Sequence, residues 1–201
     1  MNFWDQRYSE DGFAYGTRAN DFLLTEAHRI PAGRVLCLAE GEGRNAVYLA
    51  TLGYSVTAVD QSAVGLAKAQ RLAQQHNVTI STVVADLSSY EISPASWDGI
   101  VSISAHLPEL ARQRLHSQII SGLKSNGILL LEAYTEQQLC SSGTGGPKQD
   151  HKDMFMSCQK LQLELTGLNF ILLHEIEREV NEGRYHQGLG AVVQLIAKKI
   201  V

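Results

Sequence analysis

The stretch that most constrains the fold runs from Arg34 to Asp60, RVLCLAEGEGRNAVYLATLGYSVTAVD. Its first apolar run, residues 35–38, has the length and flanks of a buried strand. Gly41 and Gly43 follow, and because neither carries a Cβ, the backbone there can turn sharply and approach a ligand closely. Residues 44–52 place apolar side chains at helical spacing, and a β-branched run then leads to the final aspartate. The pattern predicts a strand, a glycine turn, a helix and a second strand.

Asp60 is informative because it stands where the second strand ends. A carboxylate at this place can accept hydrogen bonds from both hydroxyls of a ribose, as in dinucleotide-binding folds. The unit therefore predicts a nucleoside-containing ligand across the carboxyl ends of two adjacent parallel strands. The alternative is a solvated strand-end carboxylate or a helix cap, since Ser62 follows closely.

Composition narrows the class of partner. The chain has 201 residues, of which 44% are hydrophobic and 19% charged, with a formal net charge of −4. No cluster of Lys and Arg stands out, which argues against nucleic acid or an anionic membrane and favours a small-molecule substrate. The apolar runs are strand-sized and the first residues are polar and acidic, so we expect no transmembrane helix and no signal peptide. Cys37, Cys140 and Cys158 are widely spaced, which predicts neither a disulfide framework nor a metal site. We expect a cytoplasmic protein that is a monomer or a weak dimer.

Strands and helices alternate along most of the chain. The predicted helices cover residues 22–29, 62–76, 109–123 and 156–165, and further strands cover residues 78–85, 97–104 and 128–133. Such alternation is typical of a parallel sheet covered on both faces. Two strand candidates, residues 170–178 and 190–200, close the chain without a helix between them and should pair antiparallel. The predicted fold class is α/β, with a single doubly wound, mostly parallel seven-stranded sheet and a C-terminal antiparallel hairpin.

Two segments lie outside this alternation, within a single domain of residues 1–201. Residues 1–30 combine many aromatic side chains with a short helix, and we expect them to form a flap packed on the domain. Residues 141–153, SSGTGGPKQDHKD, are rich in glycine, serine and charge, which predicts a mobile surface loop and a candidate lid.

Several motifs together resemble those of the class I S-adenosylmethionine (SAM)-dependent methyltransferases. Residues 36–45 (LCLAEGEGRN) are similar to the glycine-rich motif of that family, residues 97–101 (WDGIV) to the opening of its fourth strand, and residues 123–127 (LKSNG) to its "LKPGG" turn. The His106-Leu107-Pro108 step and the C-terminal GRYHQGLGAVVQL resemble the small tellurite-resistance-type and thiopurine-methyltransferase-like branch. The chain departs from the family at Cys37, where an acid is usual, and at Ala39, where the first glycine is usual.

The resemblance implies SAM as cofactor, S-adenosylhomocysteine (SAH) as product, and a set of binding residues. Asp60 would hold the ribose, Asp86 and Leu87 the adenine, and the glycine turn the methionine portion. Glu40 could replace the missing acid and reach the SAM amino group. The implied cofactor-binding residues are Ala39, Glu40, Gly41, Gly43, Asn45, Asp60, Gln61, Ala85, Asp86, Leu87 and Ser104.

Two residues at strand ends are candidates for catalysis. His106, just past the fourth strand, is a candidate general base or substrate contact, and a loop histidine bonded to backbone is the alternative. Tyr134 ends the fifth strand and could border the sulfonium, although it could equally be an ordinary half-buried tyrosine. Other candidates for a substrate pocket are Tyr15, Arg18, His151 and residues 184–186.

Three functions fit these features. The first is methyl transfer to a small molecule, for which the resemblance points to a soft nucleophile such as a thiol or a chalcogen oxyanion. The second is a non-catalytic SAM-binding protein. The third is a nicotinamide-dependent oxidoreductase, which is disfavoured by the terminal hairpin and by Ala46 at the third position of a GxGxxG pattern.

Overall fold

Seven strands form one mixed sheet, and the computed structural model describes residues 2–200. The strands are β1 (Arg34–Leu38), β2 (Ser55–Asp60), β3 (Ser81–Val84), β4 (Trp97–Ile103), β5 (Leu123–Tyr134), β6 (Leu168–Glu182) and β7 (His186–Lys199). The helices are α1 (Phe3–Tyr8), α2 (Asp21–Glu26), α3 (Arg44–Thr51), α4 (Ala63–Gln75), α5 (Glu109–Gly122) and α6 (Cys158–Glu164). Short 3-10 turns cover Ala27–Arg29, Glu136–Cys140 and Gln149–Met154.

The strand order across the sheet is β3-β2-β1-β4-β5-β7-β6. β7 pairs antiparallel with both β5 and β6, and the other neighbouring strands are parallel. The predicted fold class, a doubly wound and mostly parallel sheet with a C-terminal antiparallel hairpin, is confirmed.

The central strand β1 divides the hydrophobic core between the two faces of the sheet. Leu36 and Leu38 belong to one cluster of buried side chains, whereas Val35 and Cys37 belong to the other, and all four are at most 1% exposed. This alternation is what a strand buried on both faces requires. Burial also raises the pKa of Cys37 well above its usual value, so the thiol stays protonated.

The C-terminal hairpin is longer than predicted. We expected residues 179–189 to connect the two strands, but β6 continues to Glu182 and β7 begins at His186, leaving a turn of residues 183–185. The prediction failed because two inward-facing positions hold Glu182 and His186, which are buried although polar. Their polarity hides the alternation by which a half-buried strand is recognised.

Two other strand boundaries also differ from expectation. β3 covers only Ser81–Val84, rather than residues 78–85, because this edge strand pairs with β2 alone over a short register. β5 begins at Leu123, before the predicted residue 128, since Leu123 pairs with Trp97 across an irregularity in the β4–β5 ladder.

The last two helices are joined by a buried ion pair. Arg112 of α5 is 1% exposed, and its guanidinium donates to both carboxylate oxygens of Glu164 in α6, at 2.8–3.2 Å. Burial alone would raise the pKa of Glu164, but hydrogen bonds and charge from His116 and Arg112 lower it to about 2. The pair therefore keeps its charge over the whole neutral range.

The segment preceding β1 packs on the domain and contains a helix that the sequence pattern did not predict. Asn2 caps α1 by accepting the backbone N–H of Asp5 at 2.7 Å, and α1 lies against α4. Residues 141–153 also lie on the domain, where Thr144 forms an isolated antiparallel bridge with Gln187. Within residues 2–200, no helix is long and apolar enough to cross a membrane.

Candidate functional site

A cavity of about 240 Å³ opens where β1, β2, β3 and β4 end. Side chains from the residues that follow these strands line it, including Glu40 after β1, Asp60 at the end of β2 and Ser104 after β4. The lining includes all predicted cofactor-binding residues except Gly41: Ala39, Glu40, Gly43, Asn45, Asp60, Gln61, Ala85, Asp86, Leu87 and Ser104. His106 also lines the cavity, whereas Tyr134 does not.

The turn after β1 owes its shape to residues with positive φ. Ala39, Gly41 and Gly43 have φ of 50°, 57° and 89°. A Cβ on Gly43 would lie 2.7 Å from the Cα of Ala69 in α4, and a Cβ on Gly41 would lie 2.8 Å from Cζ of Tyr8. The two glycines are therefore required for α1 and α4 to pack closely on the turn. Ala39 adopts the left-handed conformation that a glycine would take more easily.

Glu40 combines a structural and a chemical role. Its Oε1 accepts the backbone N–H groups of Asn45 and Ala46, at 3.0 and 2.7 Å, and so caps α3. The positive end of a helix favours a carboxylate at this place. Burial nevertheless raises the pKa of Glu40 to about 7, against the lowering effect of these N–H groups and of Arg44. The carboxyl group of Glu40 therefore titrates near neutral pH. In its ionised form it suits a cationic group of a ligand.

Asp60 is fixed by backbone groups on both sides. Its Oδ2 accepts the N–H of Gly41 at 2.9 Å, and its Oδ1 accepts the N–H of Ser62 at 2.8 Å. Burial raises the pKa of Asp60, while the backbone N–H groups act in the opposite direction. A carboxylate has about four acceptor sites, so each oxygen retains capacity for a ligand hydroxyl. The cap of α4 is the hydroxyl of Ser62, which accepts the N–H of Gly65 at 3.0 Å.

The far end of the cavity is formed by the turns after β2 and β3. Leu87 is 6% exposed and offers an apolar surface, and Asp86 is exposed, with its Oδ1 accepting the N–H of Ser88 at 2.8 Å. Gln61 and Ala85 complete this end. An apolar wall beside an exposed carboxylate suits a flat heterocycle with a polar edge.

The N-terminal segment contributes aromatic side chains that the motifs did not reveal. Trp4 and Tyr8 of α1 line the cavity with their rings stacked at 5.7 Å between centroids. Tyr8 in turn contacts Tyr15 edge-on at 6.3 Å, and Tyr15 lies 4.5 Å from the ring of His186. The density of aromatic residues in this segment predicted a packed flap, and Tyr15 was a pocket candidate, but no pattern indicated that Trp4 and Tyr8 also line the cavity.

His106 is engaged at both ring nitrogens. Its Nδ1 lies 3.1 Å from the carbonyl oxygen of Met154, and its Nε2 accepts the backbone N–H of Tyr134 at 3.3 Å. The proton therefore sits on Nδ1, and the lone pair of Nε2 is used by the backbone. Burial lowers the pKa of His106 to about 4, although the bond to Met154 opposes this. In this geometry His106 holds two segments together and has no lone pair free to accept a proton from a substrate.

Tyr134 lies behind the cavity wall, in contrast to the expectation that it borders the reacting atoms. It is 2% exposed, and the residues that lie over its ring are Gly145 and Gly146. Burial raises the pKa of its hydroxyl well above the usual value. Its position supports a packing role beneath the neighbouring His186, with which it makes an edge-on contact at 5.3 Å.

The same cavity is also lined by residues that lie outside the turns after β1 to β4, and we call this part of the cavity the acceptor end. It is lined by residues from three distant parts of the chain: Tyr15, Gly146, Pro147, His151, Met154 and His186. Of the further sequence candidates, Arg18 and Arg184 lie elsewhere, paired with Asp21 and Glu10 respectively.

A buried polar network supports the acceptor end from below. Glu182 accepts hydrogen bonds from Arg44 at 2.6 Å, Arg178 at 2.8 Å and Asn20 at 2.9 Å. Arg178 also donates at 2.6 Å to Glu132, a buried residue of β5. These contacts fix α2, α3 and the hairpin to one another, and sequence reasoning missed them because buried charges carry no periodic signal.

The donor set of the cavity fits SAM. Two buried carboxyl groups, Glu40 and Asp60, stand on either side of a turn whose glycines leave no space for a Cβ. Glu40 suits the ammonium group, Asp60 suits the ribose hydroxyls, and the wall at Leu87 suits the adenine. Aromatic rings at Trp4 and Tyr15 are favourable neighbours for a sulfonium cation.

The chain is similar to known methyltransferases in sequence. A family model described as a methyltransferase domain matches residues 35–127. The probable S-adenosyl-L-methionine-dependent methyltransferase TehB of Haemophilus influenzae (strain ATCC 51907 / DSM 11121 / KW20 / Rd) is 34% identical over 120 residues, which are 58% of this chain and 41% of that protein. The chain therefore spans less than half the length of this curated relative.

The fold is shared with solved structures at lower identity. TehB from Haemophilus influenzae superimposes with a TM-score of 0.72 at 20% identity, covering 98% of this chain and 66% of the other. A protein solved in work on the conversion of a disulfide bond into a thioacetal group during echinomycin biosynthesis gives a TM-score of 0.74 at 15% identity, covering 98% of this chain and 90% of the other. The methyltransferase-domain match over residues 35–127, the sheet order and these superpositions show that the chain has the fold of the class I SAM-dependent methyltransferases and is similar in sequence to TehB.

Proposed function

We propose that this protein transfers a methyl group from SAM to a small-molecule acceptor. The observation that carries the proposal is the continuity of one cavity from Asp60 and Glu40 to the acceptor end at His186. When bound, SAM supplies a methyl group on a sulfonium, which a nucleophile displaces in line. Such a displacement depends mainly on how the two reactants are positioned, and a single cavity with two distinct ends is suited to that task.

Each part of the cavity has a separate role in this proposal. Asp60 accepts from the ribose hydroxyls, and Glu40 neutralises the ammonium group. Trp4, Tyr8 and Tyr15 cover the cavity from the N-terminal side and exclude water from the reacting atoms. The turn at Ser104 separates the cofactor end from the acceptor end.

The acceptor end favours an uncharged soft nucleophile, such as a thiol, over a chalcogen oxyanion. Arg44 is the only Lys or Arg among the cavity-lining residues that the structure describes. Its guanidinium is already bound to Glu182 at 2.6 Å and to the carbonyl of Arg18 at 3.4 Å. An oxyanion would therefore enter a compartment without a free cation, which makes its desolvation costly.

Calorimetric titration with SAM and SAH tests the cofactor, and a product assay tests the transfer. The assay supplies an alkanethiol, an aromatic thiol, selenite and tellurite with SAM, and measures SAH and methylated product by mass spectrometry. We expect binding of both ligands and product from the thiols. Absence of SAM and SAH binding at millimolar concentration would refute the proposal, and binding without product from any acceptor would favour a non-catalytic SAM-binding protein.

The variant Asp60→Asn should weaken SAH binding, since one carboxylate oxygen becomes a donor and can no longer satisfy both the backbone and a ribose hydroxyl. The expected loss is about 1–3 kcal/mol, or roughly 5- to 150-fold in Kd. Asp11→Asn is the matched control because Asp11 is exposed and does not line the cavity. Equal affinities in the two variants would exclude Asp60 from the binding site.

A further inference from the structure

His186 is the buried titratable group at the acceptor end whose side chain is not already used by the fold. It is the first residue of β7, lines the cavity and is 9% exposed. Its Nδ1 lies 3.6 Å from Oε2 of Glu182, which is an ion-pair distance but too long for a hydrogen bond, and Nδ1 has no hydrogen-bond partner within residues 2–200. His106, by contrast, is bonded at both ring nitrogens.

The carboxylate of Glu182 is the charged group beside Nδ1 of this ring. Three donors, Arg44, Arg178 and Asn20, hold its carboxylate in place. Burial alone would raise the pKa of Glu182, but His186, Arg44 and Arg178 outweigh burial and lower it far below its usual range. A carboxylate that stays ionised beside Nδ1 favours the tautomer with the proton on Nδ1, so that Nε2 carries the lone pair.

The surroundings favour the neutral form of the imidazole, since burial, Arg44 and Arg178 all lower its pKa. Burial lowers the pKa of His186, whereas Glu182 acts in the opposite direction. The charged and titratable groups that face it come from β6, α3, the N-terminal segment, β5 and the turn after β4: Glu182 and Arg178, Arg44, Tyr15, Tyr134 and His106. Since both arginines are bound to Glu182, the carboxylate is the group placed to stabilise an imidazolium.

We propose that His186, positioned by Glu182, accepts the proton of a neutral acceptor such as a thiol during methyl transfer. The inference rests on the proposed function and specifies the acceptor as a group that carries a proton in its resting state. The S–H bond of the acceptor breaks and its proton moves to Nε2 of His186, while the sulfur electron pair forms the new S–CH3 bond. The electron pair of the broken donor S–CH3 bond remains on the donor sulfur, and His186 then releases its proton to water. In this scheme His186 is a catalytic residue, and Glu182 is a positioning residue.

The pH dependence of the unmodified protein gives the first test. The acceptors are an alkanethiol, whose pKa lies above the value of about 8.5 for a cysteine thiol, and pentafluorothiophenol, which is ionised throughout the range. With a neutral imidazole as the base, kcat/KM for the alkanethiol should change less than about threefold between pH 6.5 and 8.0. A rise of about tenfold per pH unit, following the thiolate fraction, would overturn the proposal, because the protein would then use only thiolate formed in solution.

The variant His186→Gln gives the second test. A general base contributes about 10²- to 10⁴-fold, so we expect the alkanethiol reaction at pH 6.5 to slow at least 100-fold. The reaction of pentafluorothiophenol should change less than about threefold, since it has no proton to lose. SAH binding should also be retained, because His186 lies at the acceptor end. Glu182→Gln should slow the alkanethiol reaction selectively but less strongly.

Two histidine variants serve as controls. His76→Gln alters an exposed histidine that does not line the cavity and should leave both reactions unchanged. His151→Gln alters the other histidine at the acceptor end, and a selective alkanethiol loss in this variant instead of His186→Gln would overturn the assignment. Equal losses for both thiols in His186→Gln would also overturn it, because they would indicate a packing role. If the unmodified protein binds SAH but methylates neither thiol, the acceptor class and this inference are rejected. If it does not bind SAH, the proposed function itself is rejected.

Discussion

Replacing Glu40 with glutamine should stabilise this protein at alkaline pH and leave its stability unchanged at acid pH. Glu40 is 8% exposed, and burial raises the pKa of its carboxyl group to about 7 from a usual 4.5. The folded state therefore holds the proton more tightly than the unfolded chain. The contribution of Glu40 to stability is therefore largest below pH 4.5, where its carboxyl group is protonated in both states, and it falls as the pH rises towards 7.

The size of the effect follows from the two pKa values. A difference of one pKa unit between the folded and unfolded states corresponds to about 1.4 kcal/mol. The difference between about 7 in the folded state and 4.5 in the unfolded chain therefore corresponds to roughly 3 kcal/mol in the free energy of unfolding. Glutamine mimics the protonated form, because its Oε1 can still accept the N–H groups of Asn45 and Ala46. Glu40→Gln should thus match the unmodified protein at pH 4 and exceed it by up to about 3 kcal/mol at pH 8.

Urea unfolding of both proteins, without ligand and at pH values from 4 to 8.5, measures this difference. Glu42→Gln is the sign-reversed control, since Glu42 is a neighbouring buried glutamate that is paired with Lys68 at 2.9 Å. Loss of that charge should destabilise the protein at neutral pH, by about 1–3 kcal/mol. A Glu40→Gln difference that does not change with pH, or that grows towards acid pH, would refute the reasoning.

The same carboxyl group links stability to cofactor binding. If the ammonium group of SAM binds beside Glu40, it should favour the ionised form and release about half a proton per ligand at pH 7, since the group is about half protonated there. Calorimetry in buffers of different ionisation enthalpy measures this release. Glu40→Gln should lose both the proton release and part of the SAM affinity, while gaining stability. Unchanged proton release in the variant would show that another group is responsible.

Three further perturbations test the fold and the cavity. Gly43→Ala should lower the free energy of unfolding by more than about 2 kcal/mol, because the new Cβ has no space against α4. Gly53→Ala is the control, since Gly53 has a similar positive φ but open space around it, and it should cost only about 1–2 kcal/mol. Equal losses in thermal unfolding would contradict the packing argument. Titration with SAH should change the fluorescence of Trp4, which lines the cavity, so the change should persist in Trp97→Phe and vanish in Trp4→Phe. Glu164→Gln should cost about 3–5 kcal/mol at pH 7 by leaving its buried arginine unpaired. The lowered pKa of Glu164 predicts that this difference shrinks as the pH falls from 4.5 to about 2, as urea unfolding at several pH values would show.

Local patterns were sufficient to predict the sheet and to select residues such as Glu40, Asp60 and Leu87 that line one cavity. The run before Gly41 alternates between two buried faces and therefore encodes a central strand without reference to distant residues. Asp60 was found for the same reason, since parallel strands place their carboxyl ends at one edge. The residue types in the turn also predicted a close approach of backbone, which the positive φ of Gly41 and Gly43 bears out.

The sequence offered Tyr15, His151 and residues 184–186 as candidates for a substrate pocket, but it could not show which of them line the cavity or which histidine is free to react. His106 was an attractive base in the sequence, but its two nitrogens are used by Met154 and Tyr134. His186 lay in a segment read as a connection, because Glu182 and His186 are polar residues at inward-facing strand positions. No local pattern distinguishes a buried histidine that is free to react from one that is fully bonded.

The sequence by itself therefore determined the class of fold, the order of most elements and the carboxylates that end the first strands. These properties depend on side-chain periodicity over a few residues, which is a local quantity. Only the tertiary structure decided which aromatic rings of α1 cover the cavity, that Glu40 caps α3, and that the hairpin brings His186 against Tyr15. The contact between His186 and Tyr15 joins segments more than a hundred residues apart and depends on the register between β5 and β7. The free energy that selects such long-range contacts appears only when the whole core is assembled.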